Sequence, residues 1–198
     1  AIQNPNCGWL YTANQKDFQK IPSSPIGYWL SDRIIKVFDN SEVLDSLTSV
    51  RQGMATSDNN RFLKYWNEIS FNNLGIRLKN RDEASLSLKK WFPYNKGGSY
   101  RKWFGNIDYV VNWQTDGYEI KEFREYKNST LSSNMGVAGL PFIFKPSITW
   151  SKVTAGKFSV RYLGDGFLFD VSGCSIYDDY LLEKLLPLMN SKVITKLL

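Results

Sequence analysis

The feature that most constrains this chain is the run from Ser147 to Val171. Ser147-Ile148-Thr149-Trp150-Ser151-Lys152-Val153 has strand composition, and Thr154-Ala155-Gly156 follows it as a turn. Phe158-Ser159-Val160-Arg161-Tyr162 and Phe167-Leu168-Phe169-Asp170-Val171 then alternate apolar and polar residues, joined by Gly164-Asp165-Gly166. Alternation with period two places every second side chain on one face. The run predicts an antiparallel meander with one buried face. It therefore requires a core that helices alone cannot supply.

Helices flank this β region. Ser24-Pro25 has the form of a helix start, with Ser as N-cap and Pro at the first helical position. Ile26, Trp29, Leu30, Ile34, Val37 and Phe38 then fall on one face, up to Asp39-Asn40, and Trp29 is expected in the core. Val43 to Val50 reads as a short helix or turn, and Asp116 to Tyr126 as a charged helix. Asp178-Asp179 cap a last helix that Pro187 breaks or kinks before Leu188 to Leu198 continues it. Phe62 to Ile69 reads as a strand, with helix as the alternative, and Tyr109 to Trp113 as a strand. Residues 1–22 show no strong period beyond a short strand at Trp9-Leu10-Tyr11, residues 72–90 are hard to place, and 127–141 is a loop. The expected class is α+β: a mixed, largely antiparallel β-sheet with flanking helices.

Two segments escape this periodicity. Trp91-Phe92-Pro93-Tyr94-Asn95-Lys96-Gly97-Gly98-Ser99-Tyr100-Arg101-Lys102-Trp103-Phe104-Gly105 mixes aromatics, bases and glycines. Its proline and paired glycines predict a shaped loop that allows close approach. Bases beside flat rings suit a partner with phosphates and heterocycles, while the plainer reading has the rings tucked into the core. The second segment, Gly53 to Phe62, is polar and turn-rich. Its Thr, Ser, Asp and Asn side chains either fix the backbone or face a partner.

Composition narrows the chemistry. The 198 residues carry 25 Lys+Arg against 19 Asp+Glu, a net +6 that makes an anionic partner plausible. There is no histidine, which removes Ser-His-Asp and Cys-His catalysis and most zinc sites. Cys7 and Cys174 lack CxxC spacing, as in a reducing compartment, with a single disulfide as the alternative. Gly156-Lys157-Phe158 is no P-loop. Asp108 with Glu119-Ile120-Lys121 is a chance-level nuclease pattern, and Asn128-Ser129-Thr130 reads as a plain loop. No apolar run is long enough to span a membrane. The chain starts Ala1-Ile2-Gln3 and ends within an amphipathic pattern, so it reads as a piece of a longer protein.

Several segments together resemble one family. They are Ile21-Pro22-Ser23-Ser24-Pro25-Ile26-Gly27-Tyr28-Trp29, Val50-Arg51-Gln52-Gly53-Met54-Ala55-Thr56-Ser57-Asp58-Asn59-Asn60-Arg61-Phe62-Leu63, Lys90-Trp91-Phe92-Pro93-Tyr94-Asn95-Lys96-Gly97-Gly98, Ile148-Thr149-Trp150-Ser151-Lys152 and Met189-Asn190-Ser191-Lys192-Val193. In order and spacing they are similar to the specificity region of adenine-specific DNA methyltransferases of the TaqI-like and type IIG kind, nearest to the phage-exclusion (BREX/PglX-type) enzymes. The resemblance runs from about Lys20 onward. It implies that residues 1–22 link to a catalytic domain upstream and that 23–198 form a DNA target-recognition domain of TaqI-like fold. The family's Asn-Pro-Pro-Tyr motif is absent, since Asn4-Pro5-Asn6-Cys7 lacks the second proline and the aromatic. No cofactor is therefore expected in this piece, and S-adenosylmethionine is implied for the parent protein.

The implied partners are double-stranded DNA and the methyltransferase domain of the same parent chain, in the cytoplasm and away from membranes. Phosphates call for Lys and Arg, and base edges for Arg, Lys, Asn, Gln, Ser or Thr. The candidate contacts are Arg51, Gln52, Thr56, Asn59, Asn60 and Arg61 in one loop, Lys96, Ser99, Arg101 and Lys102 in a second, and Lys152 and Lys157 near the β turn. No catalytic or metal-binding residue is expected. Two alternatives stay open: half of a type I specificity subunit, and a carbohydrate-binding module using the aromatics.

Overall fold

The computed structural model describes residue 4, residues 6–10, 12–127, 138–154 and 156–197. It divides into two compact units, Ala1–Leu47 and Thr48–Leu198. Asn128-Ser129-Thr130, Tyr11, most of the 127–141 loop and the middle of the Thr154-Ala155-Gly156 turn lie outside the described residues.

In the first unit the helices are short: α1 (Gln15–Phe18), α2 (Asp32–Asn40) and α3 (Leu44–Leu47). Trp9-Leu10 is irregular. Asn14 caps α1 by accepting from Lys16 N at 3.0 Å. The helix expected from Ser24-Pro25 begins seven positions later, after Ser31, although it ends at Asn40 as expected. Ser23 and Ser24 both have positive φ (66° and 48°), so the chain enters Pro25 from a left-handed turn, not from an extended N-cap. Gly27 lies against the Leu30 side chain, and Leu30 N donates to Gly27 O at 3.0 Å, closing a second turn. The apolar residues there do not share a helical face. Ile26 and Trp29 are 71% and 64% exposed, which corrects the core placement of Trp29.

The second unit holds two four-stranded sheets. The first is built from β1 (Ser49–Arg51), β5 (Ser147–Ser151), β6 (Val160–Leu163) and β8 (Gly173–Tyr177), in the order β1-β8-β5-β6 and wholly antiparallel. The second is built from β2 (Leu63–Tyr65), β3 (Trp91–Asn95), β4 (Tyr109–Asn112) and β7 (Leu168–Phe169). Its order is β2-β4-β3-β7, and only β3–β7 is parallel. Helices flank the sheets: α4 (Asn59–Phe62), α5 (Arg81–Leu86), α6 (Gln114–Lys127), α7 (Leu182–Met189) and α8 (Lys192–Leu197). The class is α+β, as expected. Phe62, Phe92, Tyr94, Val111, Trp113, Ile120, Phe144 and Phe169 make the core.

Three β assignments differ from expectation. Trp91–Asn95 is not the start of a loop but a central strand with Phe92 and Tyr94 fully buried. Pro93 is tolerated for a specific reason. The carbonyls of Trp91 and Asn95 accept from Gly75 N and Asp170 N, so odd-numbered backbone groups point away from β4. Pro93 faces the same way, and its missing N–H breaks no bond to β4. The meander is also incomplete. β5 and β6 form a hairpin, but the chain then crosses Phe144, which donates to Phe167 O and accepts from Gly166 N, and β7 joins the other sheet. Finally, β8 lies between β1 and β5, a strand that Gly173 and the adjoining Asp178-Asp179 hide in the sequence.

The helices follow their local chemistry. α6 opens with a left-handed turn through Thr115, Asp116 and Gly117 and buries Ile120. Arg81 Nε at 2.9 Å and Lys121 Nζ at 2.7 Å fasten Asp116. Burial raises the Asp116 carboxyl, but these two bonds outweigh it and hold the group below its ordinary range. Asp178 Oδ1 accepts from Tyr180 N and Leu181 N at the start of α7. The break expected at Pro187 falls at Asn190 instead: α7 runs through Pro187 to Met189. Asn190 is buried, and its side chain exchanges two hydrogen bonds with the Val160 backbone, as a neighbouring strand would.

Candidate nucleic-acid interface

The loops singled out from sequence meet on one short segment, Asp170 to Gly173, just after β7. Asp170 is 3% exposed. Its Oδ2 lies 2.8 Å from the Tyr94 hydroxyl and 3.4 Å from Lys96 Nζ, and its Oδ1 accepts from Ser172 N at 2.8 Å. The Tyr94 hydroxyl is also 2.9 Å from Met54 O, so its one proton is shared between two acceptors. Burial, then the Asp170 charge, pushes the Tyr94 pKa well above the ordinary tyrosine value. Tyr94 therefore stays a neutral donor.

Three segments pack on this core. Met54 N donates to Phe169 O at 2.9 Å, and Gln52 Nε2 donates to Val171 O at 3.2 Å. Gly97 (φ 77°) comes so close to the Ser172 carbonyl that an added Cβ would lie 2.8 Å from it, and its left-handed φ favours glycine. Lys152 N donates to Ser172 O at 2.9 Å. Asn95 ties the two sheets together below them. It is 1% exposed and bonds Thr149 Oγ1 at 2.6 Å, Gly173 O at 3.4 Å and Gly97 N at 3.2 Å.

The predicted residues separate into groups. Gln52 and Lys96 reach Asp170–Gly173 with their side chains and Lys152 with its backbone N–H, while the Arg51 guanidinium lies 5.1 Å from the Phe142 ring centroid. Ser99 and Lys157 share a small recess with Ser151 and Thr154. Asn59, Asn60 and Arg61 lie on α4 and are exposed. Arg61 stacks on Phe62 and Phe123 at 4.9 and 5.1 Å. Two further residues are engaged inward. Thr56 is 2% exposed and donates to Asn59 Oδ1 at 2.7 Å, so it fixes its loop. Lys102 donates from Nζ to Asn190 O at 2.6 Å, anchoring its loop to the end of α7. Arg101 is exposed, with its aliphatic stem over Gly105. Of the loop's rings, Tyr100, Trp103 and Phe104 are exposed.

Sequence reasoning missed the residues that hold this arrangement. Asp170 read as one polar position of an alternating strand, and nothing local marks it as an anchor. Arg124 and Lys127 of α6 reach back to the carbonyls of Ala55 and Ser57 and so support the first loop. Their signal is only a basic last helical turn. Both cysteines are free thiols. Among the described residues no group of three or more Cys, Asp or Glu converges as metal ligands would, and no helix is long and apolar enough to cross a membrane.

The fold and its loops define a mixed α+β domain in which loops from distant parts of the chain are gathered on the segment Asp170–Gly173. The chain is a homologue of one segment of the adenine-specific methyltransferases. It is 40% identical over 178 residues to the adenine-specific methyltransferase PglX of Lacticaseibacillus casei (strain Zhang), covering 89% of this chain. It is 36% identical over 185 residues to the adenine-specific methyltransferase BrxX of Escherichia coli O9:H4 (strain HS), covering 91% of this chain. The chain spans only 14% of the length of each of these curated relatives. No protein-family model matches it.

Proposed function

We propose that this chain is the DNA target-recognition part of an adenine-specific (N6) DNA methyltransferase of a bacterial phage-defence system of the BREX kind. In this reading it holds duplex DNA at a chosen site. Another part of the longer protein, which binds S-adenosylmethionine, then acts on an adenine turned out of the helix. The observation that carries the proposal is the convergence of the loops bearing Gln52, Lys96 and Lys152 on Asp170–Gly173. Those residue types serve phosphates and base edges, and the loops bearing them are fixed to one rigid support. The net charge of +6 favours the same partner. The homology to a segment of adenine-specific methyltransferases supplies the setting.

The test is binding of the 198-residue chain to duplex DNA by fluorescence anisotropy across a salt series. A surface that neutralises three or four phosphates gives a log–log slope of about −3, at roughly −0.9 per phosphate. Affinity independent of salt, or none at low salt, overturns the reading.

A further inference from the structure

Arg161, on β6, is 1% exposed, and no carboxylate pairs with it among the described residues. Its Nη2 donates to Ser151 Oγ at 3.3 Å, and its Nε has no acceptor. Burial lowers its pKa from the ordinary arginine value with no acidic neighbour opposing, and a guanidinium stays charged even so. A buried cation without a counter-ion is costly, and in this interior its field is weakly screened. Ser151 connects it to the surface. The Ser151 hydroxyl donates to Gly98 O at 2.7 Å and accepts from Arg161, and it lines a recess with Gly98, Ser99, Thr154 and Lys157. That recess, about 10 Å3, has room for one water-sized group. The loop beside it runs along β6, since Trp103 N donates to Val160 O and Tyr162 N to Trp103 O.

The geometry points to an anion seat: one oxygen of a phosphate occupies the recess against Lys157 and the neighbouring hydroxyls, with Arg161 behind Ser151 as the buried counter-charge. The assignment of that phosphate to a DNA backbone rests on the target-recognition reading above; free phosphate shares the chemistry. Arg161 thus carries a desolvation cost that packing alone does not explain.

The test compares Lys157→Gln and Arg161→Met with Lys184→Gln, an exposed lysine on α7. Two quantities are read: the salt slope of duplex DNA binding, and the thermal midpoint with and without inorganic phosphate. For Lys157→Gln the slope becomes shallower by about 0.9 and affinity falls about tenfold at low salt. Arg161→Met also weakens binding but leaves the midpoint unchanged or higher, where a purely structural arginine would lower it. DNA binding by Lys157→Gln that matches Lys184→Gln overturns the seat and leaves the recognition reading intact. Absence of DNA binding by the parent chain overturns the recognition reading. In that case a phosphate-induced rise in midpoint, lost in Lys157→Gln, retains the seat as a free-anion site, and no rise overturns it too.

Discussion

Asp170→Ala is expected to lower the unfolding free energy by about 3 kcal/mol, a large loss for one side chain. The ion pair with Lys96 is not the main reason. At 3.4 Å, with the lysine side chain 27% exposed, Lys96 can turn to solvent when its partner is lost. The greater cost arises in the interior. Tyr94 is fully buried and would be left with Met54 O alone, and Ser172 N, in a half-buried segment, would lose its acceptor. Urea titration would show a lower midpoint at unchanged slope. The thermal midpoint should fall by roughly 6 to 12 °C for a domain of this size. Tyr94→Phe, which removes one hydroxyl, should cost only about 1 kcal/mol. If Asp170→Ala costs no more than Tyr94→Phe, the carboxylate is not the anchor described above.

Gly53→Ala should be comparably damaging, by a different route. A Cβ there would lie 1.9 Å from Phe169 O and 2.7 Å from the Phe169 ring. Neither atom can yield without breaking the Met54 N to Phe169 O bond or displacing a core ring. Overpacking of this kind typically costs about 1–3 kcal/mol, and a clash with backbone belongs at the upper end. Gly164→Ala is the matched control. An added methyl there meets nothing within 4 Å, and its effect on the thermal midpoint should be small and of either sign. A Gly53→Ala variant as stable as Gly164→Ala would show that the first loop does not approach β7 as closely as described.

How much was legible in the sequence depended on whether the cause was local. β4, the β5–β6 hairpin and the body of α6 carry their periodicity in the residues themselves. So does the polar loop before α4, where Asp58 caps the helix by accepting from Arg61 N at 3.1 Å. β3 was obscured by Pro93, because only tertiary pairing decides that its missing N–H is harmless. β8 was obscured by Gly173, whose lack of a side chain serves the close packing of Asn95. The sequence pattern extends α2 too far because Ser24-Pro25 matches a helix start, and the left-handed turn that overrides it is invisible in composition. The candidate site shows the same division. Residue types and loops were readable, but the inward turn of Thr56 and Lys102, the anchoring by Asp170 and the isolation of Arg161 are long-range facts.

The most direct test of the central claim is hydrogen exchange by mass spectrometry on the 198-residue chain with and without saturating duplex DNA. The account predicts slower exchange in peptides covering 51–61, 96–102 and 151–157, with α5 (Arg81–Leu86) unchanged. Protection confined to other segments, or none in those three at saturating DNA, would contradict it.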